Sequence, residues 1–233
     1  CYGPGQVKNT YGTGCFAVAN LGAWRRVPPA GLLETLACDE KGGKTYALEG
    51  SVFAAGAAVQ WLRDGLGILD KASDSERLAR SVPDSGGVTL VPAFAGLGSP
   101  HWRADVRGAV FGLTRGTTRA HLARATLEAV AHQVCDVVEA MGGVKILKAD
   151  GGMTANAFLM QLQADLLGVP VLAASRAEST AWGAAKLAGR VAGVWGGEAD
   201  ADRRARTFKP RLPAAAARAR RAAWKTAVSR LLG

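Results

Sequence analysis

The sequence predicts an α/β domain, built on a mixed β-sheet with an antiparallel flank and helices packed against it. The first half carries short β-prone runs separated by Gly-rich and polar turns, which is typical of hairpins. The second half alternates apolar strands with helical patterns, which favours parallel strands joined by crossovers. At 233 residues and 48% hydrophobic composition, the chain is long enough to bury a substantial core.

The first half predicts a hairpin over residues 7–22 and further strands between 33 and 50, with residues 39–44 as a polar turn. From Ser51 the apolar spacing becomes helical, with Ser51 as a plausible N-cap. A second helix is predicted over 73–81. The short apolar run 88–91 predicts a strand, and the Gly- and Pro-rich stretch 92–100 an ordered loop.

The second half predicts a long helix that Thr117 or Thr118 caps and that ends near Met141. The remaining elements follow in order: strands at 109–111, 144–148 and 169–173, and helices at 154–167 and 179–194.

The net charge of +10 lies entirely near the carboxyl end, because residues 203–233 hold ten Lys and Arg and no acidic residue. Such a tail can bind nucleic acid or anionic lipid. Its Ala/Arg bias also fits a solvated helix that docks through Leu212, Trp224, Val228 and Leu231. We favour the helix, since no nucleic-acid motif accompanies the charge.

The four cysteines lack the paired spacing of a metal site, which favours reduced thiols, and Cys15 and Cys135 suit buried positions.

No apolar run is long enough for a membrane span and no signal-peptide pattern opens the chain. We therefore expect a cytoplasmic protein.

Gly12-Thr13-Gly14 is the first candidate binding element. Flanking glycines allow close approach of a ligand, Thr13 adds a hydroxyl, and such turns bind phosphate through backbone N–H groups. A simple hairpin turn explains the same residues.

Asp150-Gly151-Gly152 leads into a predicted helix that contains Asn156. Glycines here would let a ligand lie flat, free N–H groups at the helix start would attract polar or negative atoms, and the Asn156 amide suits a base or ribose. A tight turn with Asp150 as the helix cap is an equal alternative.

Gly56 and Gln60 share one face of the predicted first helix and could contact a ligand, although small residues there also suit helix–sheet packing. His101 and His132 are weak candidates for general bases.

Several strings together resemble the carboxy-terminal half of glycerol kinases, members of the FGGY carbohydrate kinases in the actin-like ATPase superfamily. They are KNTYGTGCF (8–16), YALEGSVFAAGAAVQWLRD (46–64), VPAFAGLGSPHW (91–102), DGGMTANAFLMQLQADLLGVPV (150–171) and ESTAWGAAKLAG (178–189). The resemblance covers roughly residues 1–230. It implies an actin-like, ribonuclease H-like domain over 1–211, followed by a basic helix at 212–233 that packs on it.

The resemblance also implies site residues. Thr13 matches a threonine that binds nucleotide phosphate, and Gly56, Gln60, Gly152 and Asn156 match further nucleotide-binding positions. Phe16 matches a residue of the glycerol pocket. ATP and Mg²⁺ are the implied cofactors, and no metal ligand falls in this chain.

The family's catalytic aspartate lies in a Gly-Asp-Gln element expected just before Cys1, with an amino-terminal domain ahead of it. The resemblance thus implies the nucleotide-binding half of an ATP-dependent glycerol kinase, inactive alone and homo-oligomeric when full length. Alternatives are another FGGY sugar or polyol kinase, a non-catalytic nucleotide-binding module, or a nucleic-acid or membrane-surface binder.

Overall fold

A computed structural model describes residues 1, 3–25, 27–39, 41–176, 178–194 and 204–233. Its centre is a seven-stranded mixed sheet, whose strands lie in the order β3 (33–38), β4 (44–52), β2 (15–22), β1 (7–11), β7 (147–150), β8 (171–173) and β9 (206–208). The described residues also form a separate two-stranded antiparallel sheet, six α-helices, one π-helical turn and one 3₁₀ turn.

Four strands form the antiparallel flank: β1 (Val7–Tyr11), β2 (Cys15–Gly22), β3 (Leu33–Cys38) and β4 (Lys44–Val52). The predicted hairpin around Gly12-Thr13-Gly14 is confirmed, with Tyr11 opposite Cys15. The strands around the polar turn are confirmed too, although Glu40 of that turn lies outside the described residues.

Ser51 is not a helix N-cap, so that prediction is wrong. Ser51 pairs with Phe16 inside β4, because the β2–β4 ladder continues to Val52. The helix α1 (Gly56–Gln60) begins five residues later and continues into a π-helical turn, Trp61–Gly65.

The parallel part begins with β7 (Leu147–Asp150), which pairs with β1 and with β8 (Val171–Ala173). The helix α4 (Ala157–Leu167) makes the crossover between β7 and β8. The predicted strand at 144–148 starts three residues too early, because Leu147 is the first residue with a partner on β1. The sheet edge strand β9 (Arg206–Phe208), antiparallel to β8, is absent from the prediction.

Two helices pack on one face of the sheet. Alternate side chains of β1, namely Val7, Asn9 and Tyr11, are buried towards α4 and α3 (Arg119–Ala140). Thr118 caps α3, as predicted, in a capping box with His121. α2 (Asp74–Arg80) packs against α3, and its predicted position is confirmed. α5 (Ser179–Val191) begins near the opposite face and ends three residues before the predicted Val194.

The second sheet pairs β5 (Thr89–Val91) with β6 (Ala109–Phe111), both near their predicted positions, and contacts α6 (Ala214–Leu232). Trp224 and Val228 of α6 are buried, as expected, while Leu212 and Leu231 are partly buried.

Arg221 departs from the expected helix, whose basic residues were expected to be solvated, because Arg221 is buried. Arg221 donates to Asp136 Oδ1 at 2.5 Å, to Glu139 Oε1 at 3.0 Å and to the His132 carbonyl at 2.9 Å, all on α3. Arg203, counted in the basic tail, lies outside the described residues.

Cys15 and Cys135 are buried free thiols, as expected, and burial raises the pKa of each to about 12. Among the described residues, no helix is long and apolar enough to cross a membrane.

Candidate functional site

A cleft of about 370 Å³ opens where β1 and β7 end side by side, which places it at the carboxyl ends of parallel strands. Its volume lies in the range of small-molecule sites. The described residues that line it come from the β1–β2 turn, α1, the segment before α2, and the start of α4: Tyr11, Gly12, Thr13, Gly56, Val59, Gln60, Arg63, Ala72, Ser73, Ser75, Glu76, Gly152, Met153, Ala155 and Asn156.

The β1–β2 turn is fixed to α1 through its carbonyl groups. The Gly56 N–H donates to the Gly12 carbonyl at 2.9 Å, and the N–H groups of Ala55 and Ala57 donate to the Thr13 carbonyl at 2.9 and 3.0 Å. The Thr13 side chain is exposed, and its hydroxyl has no hydrogen-bond partner within the described residues. It is therefore available to a ligand.

Close backbone contacts require glycine at two positions, Gly14 beside the cleft and Gly56 in its lining. A Cβ on Gly14 would lie 2.4 Å from the Val52 carbonyl oxygen, and one on Gly56 would lie 2.6 Å from the Gly12 carbonyl oxygen. The packing explanation for Gly56 is therefore sufficient, although the residue also lines the cleft.

Gly12 and Gly152 have no such requirement. A Cβ on Gly12 would meet only the Gly14 carbonyl oxygen at 3.7 Å, and one on Gly152 would meet nothing within 4 Å. Neither residue has a positive φ. Both line the cleft, so a side chain at either position would project into open space that a ligand could fill.

The start of α4 differs from the prediction. Gly152–Ala155 forms a 3₁₀ turn, and Asn156 is the N-cap of α4, with Oδ1 accepting from the Leu159 N–H at 2.9 Å. Asp150, the alternative cap, instead accepts from Lys8 Nζ at 3.0 Å. The prediction of free N–H groups at the start of α4 is wrong for two residues. The Leu159 N–H donates to Asn156 Oδ1, and the Ala157 N–H donates to Glu76 Oε2 at 3.1 Å.

The Asn156 amide keeps some capacity for a ligand. Its Nδ2 donates to Ser75 Oγ at 3.5 Å, a long bond that a ligand acceptor could replace. Gln60 is exposed at the end of α1 and has no side-chain hydrogen bond within the described residues.

The structure thus brings five predicted residues together around one cleft: Thr13, Gly56, Gln60, Gly152 and Asn156. Phe16 does not line it. Phe16 lies on β2 between Thr10 and Ser51, with 48% of its surface exposed.

The residues that α2 contributes to the cleft were not predicted from the sequence. Glu76 accepts from Arg80 at 2.9 Å as well as from the α4 backbone, and it joins α2 to the start of α4. Tyr11 lines the floor, where its hydroxyl donates to Gln163 Oε1 at 2.8 Å, and burial raises its pKa well above the usual value. Nothing in the spacing of these residues indicated that they would meet.

His132 lies outside this cleft and is unsuited to act as a base. It is buried against Trp224, with ring centroids 5.3 Å apart, and Arg221 Nη1 lies 3.3 Å from its Nδ1. Burial, assisted by the charge of Arg221, lowers the pKa of His132 to about 3.

Comparison with known proteins gives one family match, to the C-terminal domain of the FGGY family of carbohydrate kinases, over residues 7–192. Among curated relatives, a glycerol kinase of Symbiobacterium thermophilum is 55% identical over 100% of this chain and 48% of its own length. One of Rhodopirellula baltica is 52% identical over 99% of this chain and 44% of its own length. The chain therefore spans about half the length of the curated relatives that it matches.

Among solved structures, a Plasmodium falciparum glycerol kinase with ADP superposes with a TM-score of 0.87 at 31% identity, over 100% of this chain and 48% of that one. A xylulose kinase of Rhodospirillum rubrum gives 0.72 at 26% identity, over 98% of this chain and 48% of its own. The predicted actin-like fold, a mixed sheet with flanking helices, is confirmed.

Proposed function

Because this chain belongs to the FGGY family of carbohydrate kinases, we propose that it forms the nucleotide-binding half of an ATP-dependent glycerol kinase. The observation that carries the proposal is the convergence of Thr13, Gly56, Gln60, Gly152 and Asn156 on one cleft at the strand ends. The glycerol kinases at 52% and 55% identity support glycerol as the substrate.

Each lining group has chemistry that suits a nucleotide. The Thr13 hydroxyl can donate to a phosphate oxygen. Gly12 and Gly152 leave space for a flat ligand, and the amides of Gln60 and Asn156 can both donate to and accept from a ribose or base. Phe16, outside the cleft, would form one wall of the glycerol site.

The proposed reaction transfers the γ-phosphoryl group of ATP to a terminal hydroxyl of glycerol. Such catalysis consists mostly of positioning and charge stabilisation, with an aspartate accepting the hydroxyl proton. By resemblance, that aspartate lies in the other half of the full-length relatives, so we assign no catalytic residue to this chain. The proposed role of this chain is to bind and orient the nucleotide.

Mg²⁺ would accompany ATP, but the cleft does not fit a metal held by side chains of this chain. Glu76 is the carboxylate among the described lining residues, and Arg80 and the Ala157 N–H engage both its oxygens. No cluster of metal-ligating side chains occurs within the described ranges. We therefore route no step of the reaction through the metal.

The remaining assignments rest on the family resemblance. We propose that the protein is cytoplasmic, that residues 1–211 form the nucleotide-binding domain with 212–233 as an appended helix, and that the partners are an amino-terminal kinase domain and further copies of the enzyme. No role in nucleic-acid binding is proposed.

Titration of the 233-residue chain with ADP tests the nucleotide site, and an assay for glycerol 3-phosphate from ATP and glycerol tests turnover. We expect saturable ADP binding at a single site and no turnover by this chain alone. Absence of ADP binding by the folded chain would refute the nucleotide site. Steady turnover would refute the proposal that this chain binds the nucleotide but does not catalyse the reaction alone.

A further inference from the structure

Lys8 and Asp150 form an ion pair just behind the cleft. Lys8 Nζ lies 3.0 Å from Asp150 Oδ2 and also donates to Thr180 Oγ1, at the start of α5, at 3.1 Å. The Asp150 side chain is 4% exposed, and its second oxygen, Oδ1, is buried with no hydrogen-bond partner in the described part of the chain. Lys8 is thus the cation in contact with this carboxylate.

The pair lies close to the β1–β2 turn, whose Thr13 would bind phosphate in the proposed site. Asp150 directly precedes Gly151-Gly152, and it pairs across the ladder with Thr10, two residues before Gly12. Gly12 and Gly152 both line the cleft. A buried carboxylate at this point would repel an anionic ligand unless a cation neutralised it, because charges interact strongly where water is excluded.

We propose that Lys8 is a positioning residue that compensates the charge of Asp150 and so makes this end of the cleft compatible with the phosphate groups of a nucleotide. Lys8 does not line the cleft, so the role is exerted through Asp150 and not by contact with the ligand. The inference rests on the proposed function, since it presupposes that a nucleotide binds here.

Lys148 offers a matched control. It lies opposite Lys8 in the β1–β7 register, but its Nζ contacts Gln6 Oε1 at 3.5 Å and makes no bond to Asp150. Replacing Lys148 removes the same charge from the same part of the sheet and leaves the carboxylate paired.

The experiment measures ADP and adenosine affinity by calorimetry, and unfolding by urea, for wild type, Lys8→Met, Lys148→Met, Asp150→Asn and the double variant Lys8→Met/Asp150→Asn. We expect Lys8→Met to weaken ADP binding about tenfold or more and adenosine binding much less. We expect the double variant to bind ADP within about twofold of wild type, because it removes the uncompensated charge, and Lys148→Met to do the same.

The measured affinities distinguish charge compensation by Lys8 from direct contact with the ligand and from a purely structural role. A double variant as weak as Lys8→Met would overturn the inference, because Lys8 would then act on the ligand directly. Equal losses of ADP and adenosine affinity in Lys8→Met would also overturn the inference. A loss of ADP affinity in the single variant Asp150→Asn would do the same, because the ion pair would then only hold the backbone in place. If Lys8→Met does not fold, the double variant and Asp150→Asn still decide. Failure of the wild-type chain to bind ADP would refute the proposed function instead.

Discussion

Gly151 and Gly152 are adjacent in the chain, but they are glycines for different physical reasons. Gly151 has a φ of +94°, and a Cβ there would lie 2.4 Å from the Tyr11 carbonyl oxygen. Gly152 has no positive φ and no neighbour within 4 Å of a Cβ. The first is thus needed for folding, and the second leaves space in the cleft.

Substitution at these two positions separates stability from binding. Gly152→Val should change the free energy of unfolding by less than about 1 kcal/mol and abolish measurable ADP binding, because the side chain fills the cleft. Gly151→Ala should lower the free energy of unfolding by about 2 kcal/mol or more. Urea unfolding and calorimetry check both. Retention of ADP binding by folded Gly152→Val would contradict the nucleotide site.

His132 predicts a dependence of stability on pH. Because its pKa falls from an ordinary 6.5 to about 3 in the folded chain, the unfolded state binds the proton first as the pH drops. The contribution of His132 to stability is therefore complete above pH 6.5 and is lost as the pH falls towards 3, by up to about 1.4 kcal/mol per pH unit. Urea unfolding between pH 4 and 7 should show a shallower slope for His132→Gln than for wild type. Equal slopes would contradict a buried neutral imidazole.

At the scale of elements, α4 begins where a capping residue and a candidate ligand contact coincide. Asn156 caps the helix through Oδ1, and its Nδ2 lies towards Ser75 at the cleft. The two roles use different atoms of one side chain, so they can be tested separately.

Asn156→Ser should keep the cap and the stability within about 0.5 kcal/mol, while Asn156→Ala should lose about 1 kcal/mol. Both variants should bind ADP more weakly, because both lack the amide. Thermal unfolding and calorimetry give the two quantities. If Asn156→Ser bound ADP as wild type does, the contribution of Asn156 would be confined to the cap.

The helix α6 is attached to α3 by a buried polar cluster. Arg221 contacts Asp136 and Glu139, and Trp224 Nε1 donates to Asp136 Oδ2 at 2.7 Å. Arg221→Met should lower the free energy of unfolding by about 3–5 kcal/mol, because it leaves the Asp136 carboxylate, 10% exposed, without its cation. Arg230→Met, on the exposed end of the same helix, should change it by less than about 0.5 kcal/mol. Equal effects in urea unfolding would show that the cluster contributes nothing specific.

The positions of most helices and strands could be predicted from local sequence patterns. The residues at which they begin and end could be predicted less well. The apolar stripe of α3 and its Thr118 cap are properties of contiguous residues, so the sequence was sufficient to predict them. The end of β4, the start of β7 and the existence of β9 depend on which residues find a partner on a distant strand. Glu76 was missed for the same reason, because its role depends on α2 meeting the start of α4.

At the scale of the whole molecule, the positive charge of the tail is partly neutralised on folding. Arg221 and Lys225 pair with Asp136 and Glu139 of α3, whereas Arg218 and Arg230 are exposed. The basic residues of α6 therefore do not form one uninterrupted surface. This distribution favours a solvated, docked helix over a nucleic-acid interface.

We accordingly expect no retardation of duplex DNA by this chain at about 0.15 M salt, measured by gel shift. Deleting α6 would remove the buried Trp224, so the exposed pair Arg218→Glu/Arg230→Glu is the suitable variant. A shift in the wild type that weakens steeply with salt and disappears in this variant would contradict the prediction.

The bonds between the β1–β2 turn and α1 also determine the polarity of the cleft. The carbonyl oxygen of Gly12 accepts from the Gly56 N–H, and that of Thr13 accepts from the N–H groups of Ala55 and Ala57. In the proposed site, an incoming phosphate would meet carbonyl oxygens that are already engaged in hydrogen bonds, and a Thr13 hydroxyl that can donate. If a nucleotide binds here as proposed, the hydrogen bonds that hold the turn to α1 also reduce the repulsion that its phosphate would meet there.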